Sequence, residues 1–186
     1  KKAKSSNMPA SNIDRAIKKG TGELPGVVFE NFVYEGYGPN GVAIMMEVMT
    51  DNKNRTVPDI RHIMSKNGGN LGESGCVSWM FEKKGTVAVK KTDIDEESIM
   101  DLLIDLGIED YESDDECYEI IVPPEIFGEL SEKMEREDLS IDGELGLVPI
   151  NMVKVSKDES EKILKLLDIL EEHDDIQKLY TNFEVE

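Results

Sequence analysis

TDNKNRTVPDIRHIMSKNGGNLGESGCVSWMF, residues Thr50–Phe81, combines a short amphipathic helix, a glycine-rich turn and the only tryptophan of the chain. Thr56 is the predicted cap of that helix, because a threonine hydroxyl accepts a hydrogen bond from a free N–H of the first turn. Apolar residues at helical spacing, Ile60 and Met64 among them, give the helix one buried face. The segment Asn67–Gly69 predicts its end, since glycine readily adopts the left-handed conformation that stops a helix. The rest of the chain is organised around this helix and turn.

The polar side of the same segment is basic. Its cations are Lys53, Arg55, Arg61 and Lys66, and they precede a loop that contains Asn67, Gly68, Gly69, Asn70 and Gly72. Cations beside exposed backbone N–H groups form a surface that suits an anion such as phosphate. The alternative is that the glycines only end the helix and the cations are solvated. Residue chemistry alone favours this alternative, because helix-ending glycines are common.

Several segments of the chain resemble the YebC family. They are NMPASNIDRAIKKGTGE, YEGYGPNGVA, the parts DNKNRTVPDIRH and SKNGGNLGESGCVSWMF of the segment above, and DDIQKLYTNF near the C-terminal end. The resemblance runs in order from Lys1 to Phe183, although the acidic middle agrees more in pattern than in residues. It implies a three-domain arrangement and one of two activities. Family members are described as probable DNA-binding transcriptional regulators, and others, including a mitochondrial translational activator, as acting on translation at the ribosome.

Residues 1–23 are predicted to be the C-terminal part of a helical domain. Chains of the family normally begin with a further basic, largely helical segment, whereas this sequence begins at Lys1 without an initiator methionine, so we expect that segment to be lacking. Residues 1–20 carry six cations against the single acid Asp14, and they are Lys1, Lys2, Lys4, Arg15, Lys18 and Lys19. Clustered cations neutralise phosphates, so these residues are predicted nucleic-acid contacts. The alternative is a solvated helix surface.

The net charge of −19 is unevenly distributed along the chain. Residues 1–91 carry 14 Lys and Arg against 9 Asp and Glu, a net charge of +5, whereas residues 92–186 carry 7 against 31, a net charge of −24. Because phosphate is attracted by the first part and repelled by the second, we expect nucleic acid to contact the first part. Lys83 and Lys84, in a predicted basic turn at 83–85, complete the candidate contacts.

Residues 24–84 and 151–186 are predicted to form one discontinuous α+β domain. Strands at 27–35 and 41–49 are joined by a five-residue loop, and the second strand is apolar on both faces, so we expect it to be covered on both sides. After residue 150 come a short strand, a helix opened by the capping box Ser156-x-x-Glu159, and a strand at 176–183. These elements have no closed sheet of their own and are predicted to pair with the first two strands.

Residues 85–150 are predicted to be an inserted ferredoxin-like domain, because their strands and helices follow the order βαββαβ. Asp93 is the predicted cap of its first helix. An RNA-recognition domain of this topology needs aromatic residues on its central strands and a basic surround, and the strands VAVK, CYEIIV and LGLVPI provide neither. The acidic surface is then either a solubilising surface, which is the commoner case, or a docking surface for a basic protein partner.

The sequence offers few groups for catalysis, and we predict that the protein is not an enzyme. The two histidines of the chain, His62 and His173, lie on different predicted helices. Cys76 should enter a packed strand, and Ser74 in GESGC lacks the second glycine of a nucleophile elbow. GGNLG is neither a dinucleotide-binding fingerprint nor a P-loop, and no residue spacing matches a metal site. We expect no cofactor and no metal.

Cellular location and the last loop can also be predicted. Cys76 and Cys117 are far apart in sequence and form no disulfide framework, and no apolar run reaches membrane-spanning length, so we expect a cytoplasmic protein. Residues 76–81 are predicted to be extended, with Trp79 anchoring the loop rather than stacking on a base. The sequence as a whole predicts a regulator that binds DNA, with RNA or the ribosome as the alternative partner of the same basic surface.

Overall fold

The computed structural model of the chain describes residues 10–21, 28–108 and 111–186. The chain divides into two compact units. The first, here the discontinuous unit, comprises Lys1–Met80 and Asn151–Glu186, and the second, here the inserted unit, comprises Phe81–Ile150. Both units combine helices with β-sheet, so the predicted α+β class is confirmed.

The described helices and strands follow one another in a regular order. In chain order they are α1 (Ala10–Gly20), β1 (Glu30–Tyr37), β2 (Ala43–Thr50), α2 (Lys53–Lys66), β3 (Asn70–Leu71), β4 (Phe81–Lys90), α3 (Glu96–Ile104), β5 (Glu112–Ser113), β6 (Cys117–Val122), α4 (Pro124–Arg136), β7 (Ile141–Pro149), β8 (Val153–Val155), α5 (Lys157–Glu171), β9 (Ile176–Thr181) and β10 (Phe183–Val185). Single 3-10 turns lie at Pro39–Gly41 and Ser78–Met80.

The discontinuous unit is built on a four-stranded sheet in the order β3-β1-β2-β9. β1 and β2 pair antiparallel from Glu30 and Thr50 to Tyr37 and Ala43, and β9 pairs antiparallel with β2. The C-terminal part of the chain therefore returns to the first hairpin, as the sequence predicts. β8 does not join this sheet, because it pairs with β10 in a separate parallel sheet of two strands.

Asn182 separates β9 from β10, where the sequence predicts one strand at 176–183. Its side-chain oxygen accepts a hydrogen bond from the Ala43 N–H at 2.8 Å, and its side-chain nitrogen donates to the Asn151 carbonyl at 3.3 Å. The Asn182 carbonyl accepts from the Val153 N–H at 2.6 Å. Asn182 is buried, and these three bonds direct the chain from one sheet to the other.

Helices α2 and α5 cover one face of the four-stranded sheet. The core on that face contains Ile44, Met46, Val48, Ile60, Met64, Leu166, Leu170 and Ile176. Because strand residues alternate between the two faces, Glu35 and Tyr37 point to the opposite face, where they bond to the segment Glu73–Met80. Residues Ala43–Met46 of β2 are all buried, so the prediction that this strand is covered on both faces is confirmed.

The start of α2 differs from the prediction, and its end agrees. The side-chain oxygen of Asn52 accepts a hydrogen bond from the Arg55 N–H at 3.2 Å, so Asn52 is the N-cap. The predicted cap, Thr56, is wrong: it lies inside the helix and is fully buried, because the chain already turns helical at Lys53. Gly68 has a φ angle of +82°, which confirms the predicted left-handed stop.

Of two further helix caps, one was predicted correctly and the other was not. Ser156 and Glu159 form the predicted capping box at the start of α5. α3 is capped by Asp95, whose carboxylate accepts a hydrogen bond from the Ser98 N–H at 2.9 Å. The predicted cap, Asp93, lies in the preceding turn, because α3 begins at Glu96.

The inserted unit has the ferredoxin-like arrangement that its sequence predicts. Its four strands lie in the order β5-β6-β4-β7, and all neighbours are antiparallel. α3 and α4 pack on one face, where Val87, Ile120, Leu103 and Leu130 are among the buried residues.

Lys83 and Lys84 lie within a strand of this unit, and the predicted basic turn at 83–85 is wrong. β4 begins at Phe81, which pairs with Pro149, because β7 is long enough to pair with residues 81–84 as well. The inserted unit accordingly starts at Phe81, whereas the sequence placed its start at residue 85.

Candidate nucleic-acid interface

Three of the four predicted cations of α2 have no acidic partner within the described ranges. Arg61 and Lys66 are exposed, and neither forms an ion pair with a described residue. Lys53 is also exposed, and its Nζ lies 4.6 Å from the ring centroid of Phe32, a distance typical of a cation–π contact. α2 contains a single acid, Asp59, so its solvent side is positively charged.

Arg55, the fourth cation, is already neutralised. Its Nη2 lies 3.2 Å from a carboxylate oxygen of Asp51 and 3.1 Å from one of Asp175. The hydrogen bond to Asp175 and the charges of both carboxylates raise the pKa of Arg55 above its ordinary value. Arg55 therefore stabilises the start of α2 against β9, and it is less available to phosphate than Arg61 or Lys66.

Asp175 links α2 to the C-terminal part of the chain, a role that the sequence prediction missed. It is 7% exposed and accepts hydrogen bonds from the hydroxyl of Thr56 and from Arg55. Burial raises the pKa of Asp175, but the bonds from Thr56, Arg55 and Thr50 outweigh burial, so the pKa is held below its ordinary value. The buried Thr56 hydroxyl thus donates a hydrogen bond to a residue that lies 119 positions later in the sequence.

A cleft of about 810 Å³ adjoins the N-terminal end of α2. Its acidic lining consists of Asp51, Asp59, Glu172, Asp174 and Asp175, and Arg55 and His173 are the basic side chains among its described residues. Because acids outnumber bases here, the cleft repels phosphate. The positive part of α2 therefore lies towards Arg61 and Lys66, away from this cleft.

The glycine loop after α2 is packed rather than open. The Gly69 N–H donates to the Met64 carbonyl at 2.8 Å, and the Gly72 N–H donates to the Glu35 carbonyl at 2.8 Å. Asn70 and Leu71 pair with β1 as the short strand β3, and Asn67 donates from its side chain to the Ile63 carbonyl at 2.8 Å. A Cβ atom at Gly69 would come within 2.7 Å of the Tyr37 carbonyl, so this glycine is needed for close packing.

These contacts weigh against a phosphate cradle at the loop. The amides of Gly69 and Gly72 are already bonded within the protein, which leaves no row of free N–H groups at these positions. Gly68 remains exposed at the end of α2. Contact between the loop and nucleic acid stays a prediction, and any anion held there has to be held mainly by side chains.

A different segment, Glu73–Met80, does present backbone N–H groups to an anion, and that anion is the carboxylate of Glu35. This carboxylate is 6% exposed and accepts hydrogen bonds from the N–H groups of Gly75, Val77 and Ser78, each at 2.8 Å. Burial raises the pKa of Glu35, but the three backbone donors outweigh burial and hold it below its ordinary value. A glutamate in the otherwise apolar stretch FVYEGY was the available signal in the sequence.

Trp79 does not anchor this segment, contrary to the prediction. Its side chain is 66% exposed, and its indole N–H donates to the Cys76 carbonyl at 3.1 Å. Glu35 and the fully buried Val77 hold the segment instead. Residues 76–81 are not extended either, because Ser78–Met80 form a 3-10 turn before β4 starts.

The remaining predicted contacts are scattered. Lys1, Lys2 and Lys4 lie outside the described residues, as do the side chains of Arg15 and Lys19. Lys18 is exposed on α1. In the inserted unit, Lys83 is exposed and Lys84 forms an ion pair with Glu82 at 2.9 Å.

The described residues form no recognisable catalytic or metal centre. His62 is exposed on α2, whereas Cys76 lies in the segment on the opposite face of the sheet. Burial and the charge of Glu35 raise the pKa of Cys76, which disfavours a thiolate. No group of three or more His, Cys, Asp or Glu within the described ranges is placed to hold a metal ion. None of the described helices is both long and apolar enough to cross a membrane.

Comparison with known proteins gives one consistent result. Residues 29–183 match the family model described as "TACO1/YebC second and third domain". Proteins named "Probable transcriptional regulatory protein" from Natranaerobius thermophilus and Persephonella marina are 50% identical over 189 residues and 51% identical over 187 residues. These alignments cover 100% and 99% of this chain and 76% and 75% of the relatives.

A solved structure agrees with the fold. The crystal structure of a conserved hypothetical protein from Aquifex aeolicus has a TM-score of 0.86 to this chain at 44% sequence identity. The match covers 99% of this chain and 76% of that one. Together with the family model, these similarities show that the chain belongs to the TACO1/YebC family.

Proposed function

We propose that this protein is a cytoplasmic, nucleic-acid-binding regulator of gene expression that acts by binding DNA and not by catalysis. The observation that carries the proposal is the solvent side of α2, where Arg61 and Lys66 are exposed and have no ion pair within the described ranges. The names of the relatives, probable transcriptional regulatory proteins, support DNA as the target.

The mode of binding is contact with phosphate. Lysine and arginine side chains release counterions when they neutralise phosphates, and they carry no base sequence information by themselves. Lys53 and Lys18, both exposed, extend the same set of side chains in the discontinuous unit. We therefore expect weak sequence selectivity and a steep dependence on salt.

A second candidate is binding to RNA or to the ribosome through the same cations. The inserted unit favours it, since this unit carries 22 Asp and Glu against 6 Lys and Arg, a net charge of −16. A unit of that charge is repelled by a bare duplex. A ribosome, which also presents basic proteins, repels the inserted unit less than a bare duplex does.

The proposal is tested with the variant pair R61A/K66A in the full chain. Binding to a mixed DNA duplex, a structured RNA and purified ribosomes is measured by fluorescence anisotropy or sedimentation across a salt series. Each lost phosphate contact lowers the slope of log affinity against log salt by about one, so we expect a decrease of about two. The matched control is K90A/R136A, which removes one lysine and one arginine that are exposed in the inserted unit.

Equal slopes for the two pairs would refute a phosphate-binding role of α2. Tighter binding to duplex than to ribosomes at physiological salt supports DNA as the partner, and the reverse order supports the translational alternative. R55A is a useful third variant: because Arg55 is paired with Asp51 and Asp175, it should lower stability more than it lowers affinity.

A further inference from the structure

The sheet of the inserted unit has one face on which none of the described helices packs. α3 and α4 cover the face that carries Val87, Val89 and Ile120. The opposite face is here called the open sheet face. By strand register its residues include Thr86, Ala88, Lys90, Glu112, Glu119, Ile121, Asp142 and Glu144.

The open sheet face has an apolar centre and acidic sides. Ile121 is 38% exposed and lies directly opposite Thr86 on β4. Ala88, two residues further along β4, faces Glu119 on one side and Asp142 on the other. The small side chains of Thr86 and Ala88 leave the centre shallow, so an incoming chain can lie against the sheet between the two carboxylates.

Three acids of this face, Glu112, Glu119 and Asp142, are poorly compensated. Glu112 lies directly opposite Glu119, and like charges at opposed positions of an antiparallel pair destabilise a sheet. Glu112, Glu119 and Asp142 form no ion pair with any residue that the structure describes. Two lysines lie towards the ends of the face: Glu82 already neutralises Lys84, and Lys90 forms no ion pair with a residue that the structure describes. An external cation can therefore relieve repulsion that the fold itself leaves in place.

We propose that the open sheet face binds a segment of a partner protein that is rich in lysine and arginine. The aliphatic stems of such side chains can pack on Ile121 and Ala88, while their charged ends reach Glu119 and Asp142. Nucleic acid does not fit, because its phosphates meet carboxylates. A second copy of the same face does not fit either, because it presents the same charges. This inference does not depend on nucleic-acid binding by α2.

The test measures binding of a fluorescein-labelled peptide of alternating lysine and alanine to the full chain by anisotropy. The variant E119Q/D142N removes two carboxylates from the open sheet face without removing side-chain volume. The matched control, E97Q/D101N, removes two exposed carboxylates from α3 on the helical side of the same unit. Loss of two exposed ion pairs should weaken binding about tenfold, whereas the control should change it by less than about twofold.

Equal weakening by both pairs would mean general attraction to an acidic unit, and it would overturn the proposal. A third variant, A88K, places a cation in the centre of the open sheet face and should abolish peptide binding. Circular dichroism of each variant establishes that the fold is retained. Self-association of the wild-type chain that E119Q/D142N removes, or binding of an RNA that competes with the peptide on this face, would assign the face to a different occupant and refute a basic protein segment.

Discussion

Carboxylates hold the discontinuous unit together, whereas they mainly charge the surface of the inserted unit. Glu35 and Asp175 are buried and accept hydrogen bonds from backbone and hydroxyl donors. Glu119 and Asp142 are exposed and have no ion pair within the described ranges. A buried carboxylate that accepts hydrogen bonds stabilises the fold. An exposed carboxylate without such donors contributes only a long-range electrostatic field. The count of acids alone does not distinguish the two roles.

The largest expected effect follows from replacing Glu35. In E35A the N–H of Val77 loses its acceptor in a buried position, and those of Gly75 and Ser78 must turn to water. An unsatisfied buried donor costs about 1–3 kcal/mol, so we expect a loss of about 3 kcal/mol in the free energy of unfolding. Urea unfolding followed by fluorescence of Trp79, the only tryptophan, measures it.

Hydrogen exchange provides the local readout for the same variant. Protection of the Val77 amide should fall together with global stability if Glu35 holds the segment Glu73–Met80. The control is E73A, since Glu73 is exposed on that segment. Unchanged protection of Val77 in E35A would show that its three hydrogen bonds contribute little.

A smaller loss is expected for Asp175. In D175A the buried Thr56 hydroxyl and Arg55 lose a shared acceptor, but Thr50 lies 2.8 Å from Thr56 and Asp51 still pairs with Arg55. We expect a loss of about 2 kcal/mol. The neighbouring D174A, at an exposed position, is the control and should unfold at nearly the wild-type urea concentration.

The same two carboxyls should make the discontinuous unit sensitive to acid. Their pKa values are lowered in the folded protein, so their stabilisation is complete above the ordinary carboxyl pKa and is lost as pH falls through the lowered values. Stability should therefore decline below about pH 4.5, the ordinary value for Glu35. E35Q/D175N should be less stable at pH 7 and show a flatter decline; parallel profiles for variant and wild type would contradict this assignment.

The smallest effect is expected where carboxylates are removed from the inserted unit. E119Q/D142N takes charge from exposed positions and relieves repulsion between Glu119 and Glu112. Its stability should stay within about 0.5 kcal/mol of wild type, with any change towards greater stability. A loss comparable to that of D175A would mean that these acids have structural partners, and the contrast between the two units would fail.

Several features set by neighbouring residues could be predicted from the sequence, whereas the distant partners of the buried acids could not. The capping box of Ser156 and Glu159 and the helix stop at Gly68 depend on residues within one turn. The donors of Glu35 lie about forty residues away, and those of Asp175, Thr56 and Arg55, lie 119 and 120 residues away. The apolar stretch FVYEGY indicates that Glu35 is unusual but identifies none of its donors, and nothing near Asp175 in the sequence marks it as buried.

The candidate interface illustrates the same limit. The sequence does not distinguish Arg55 from Arg61 and Lys66, because all three are basic residues of the same helix. Only the fold brings Asp175 from the C-terminal part of the chain against Arg55 and leaves Arg61 and Lys66 without an acidic partner in the described ranges. The glycine loop was similarly ambiguous, because the contact of Gly69 with the Tyr37 carbonyl depends on the pairing of β3 with β1.

The pairing of Phe81 with Pro149 has a consequence for the order in which the chain folds. The two strands through which the polypeptide enters and leaves the inserted unit lie side by side. Once that unit has formed, the 70 residues between Met80 and Asn151 behave towards the remaining chain as a short closed turn. Loop-closure entropy grows by about 0.6 kcal/mol for each doubling of length. Early folding of the insertion shortens the loop between Thr50 and Ile176 from 125 residues to about 55. The entropic barrier to joining β2 with β9 therefore falls by about 0.7 kcal/mol.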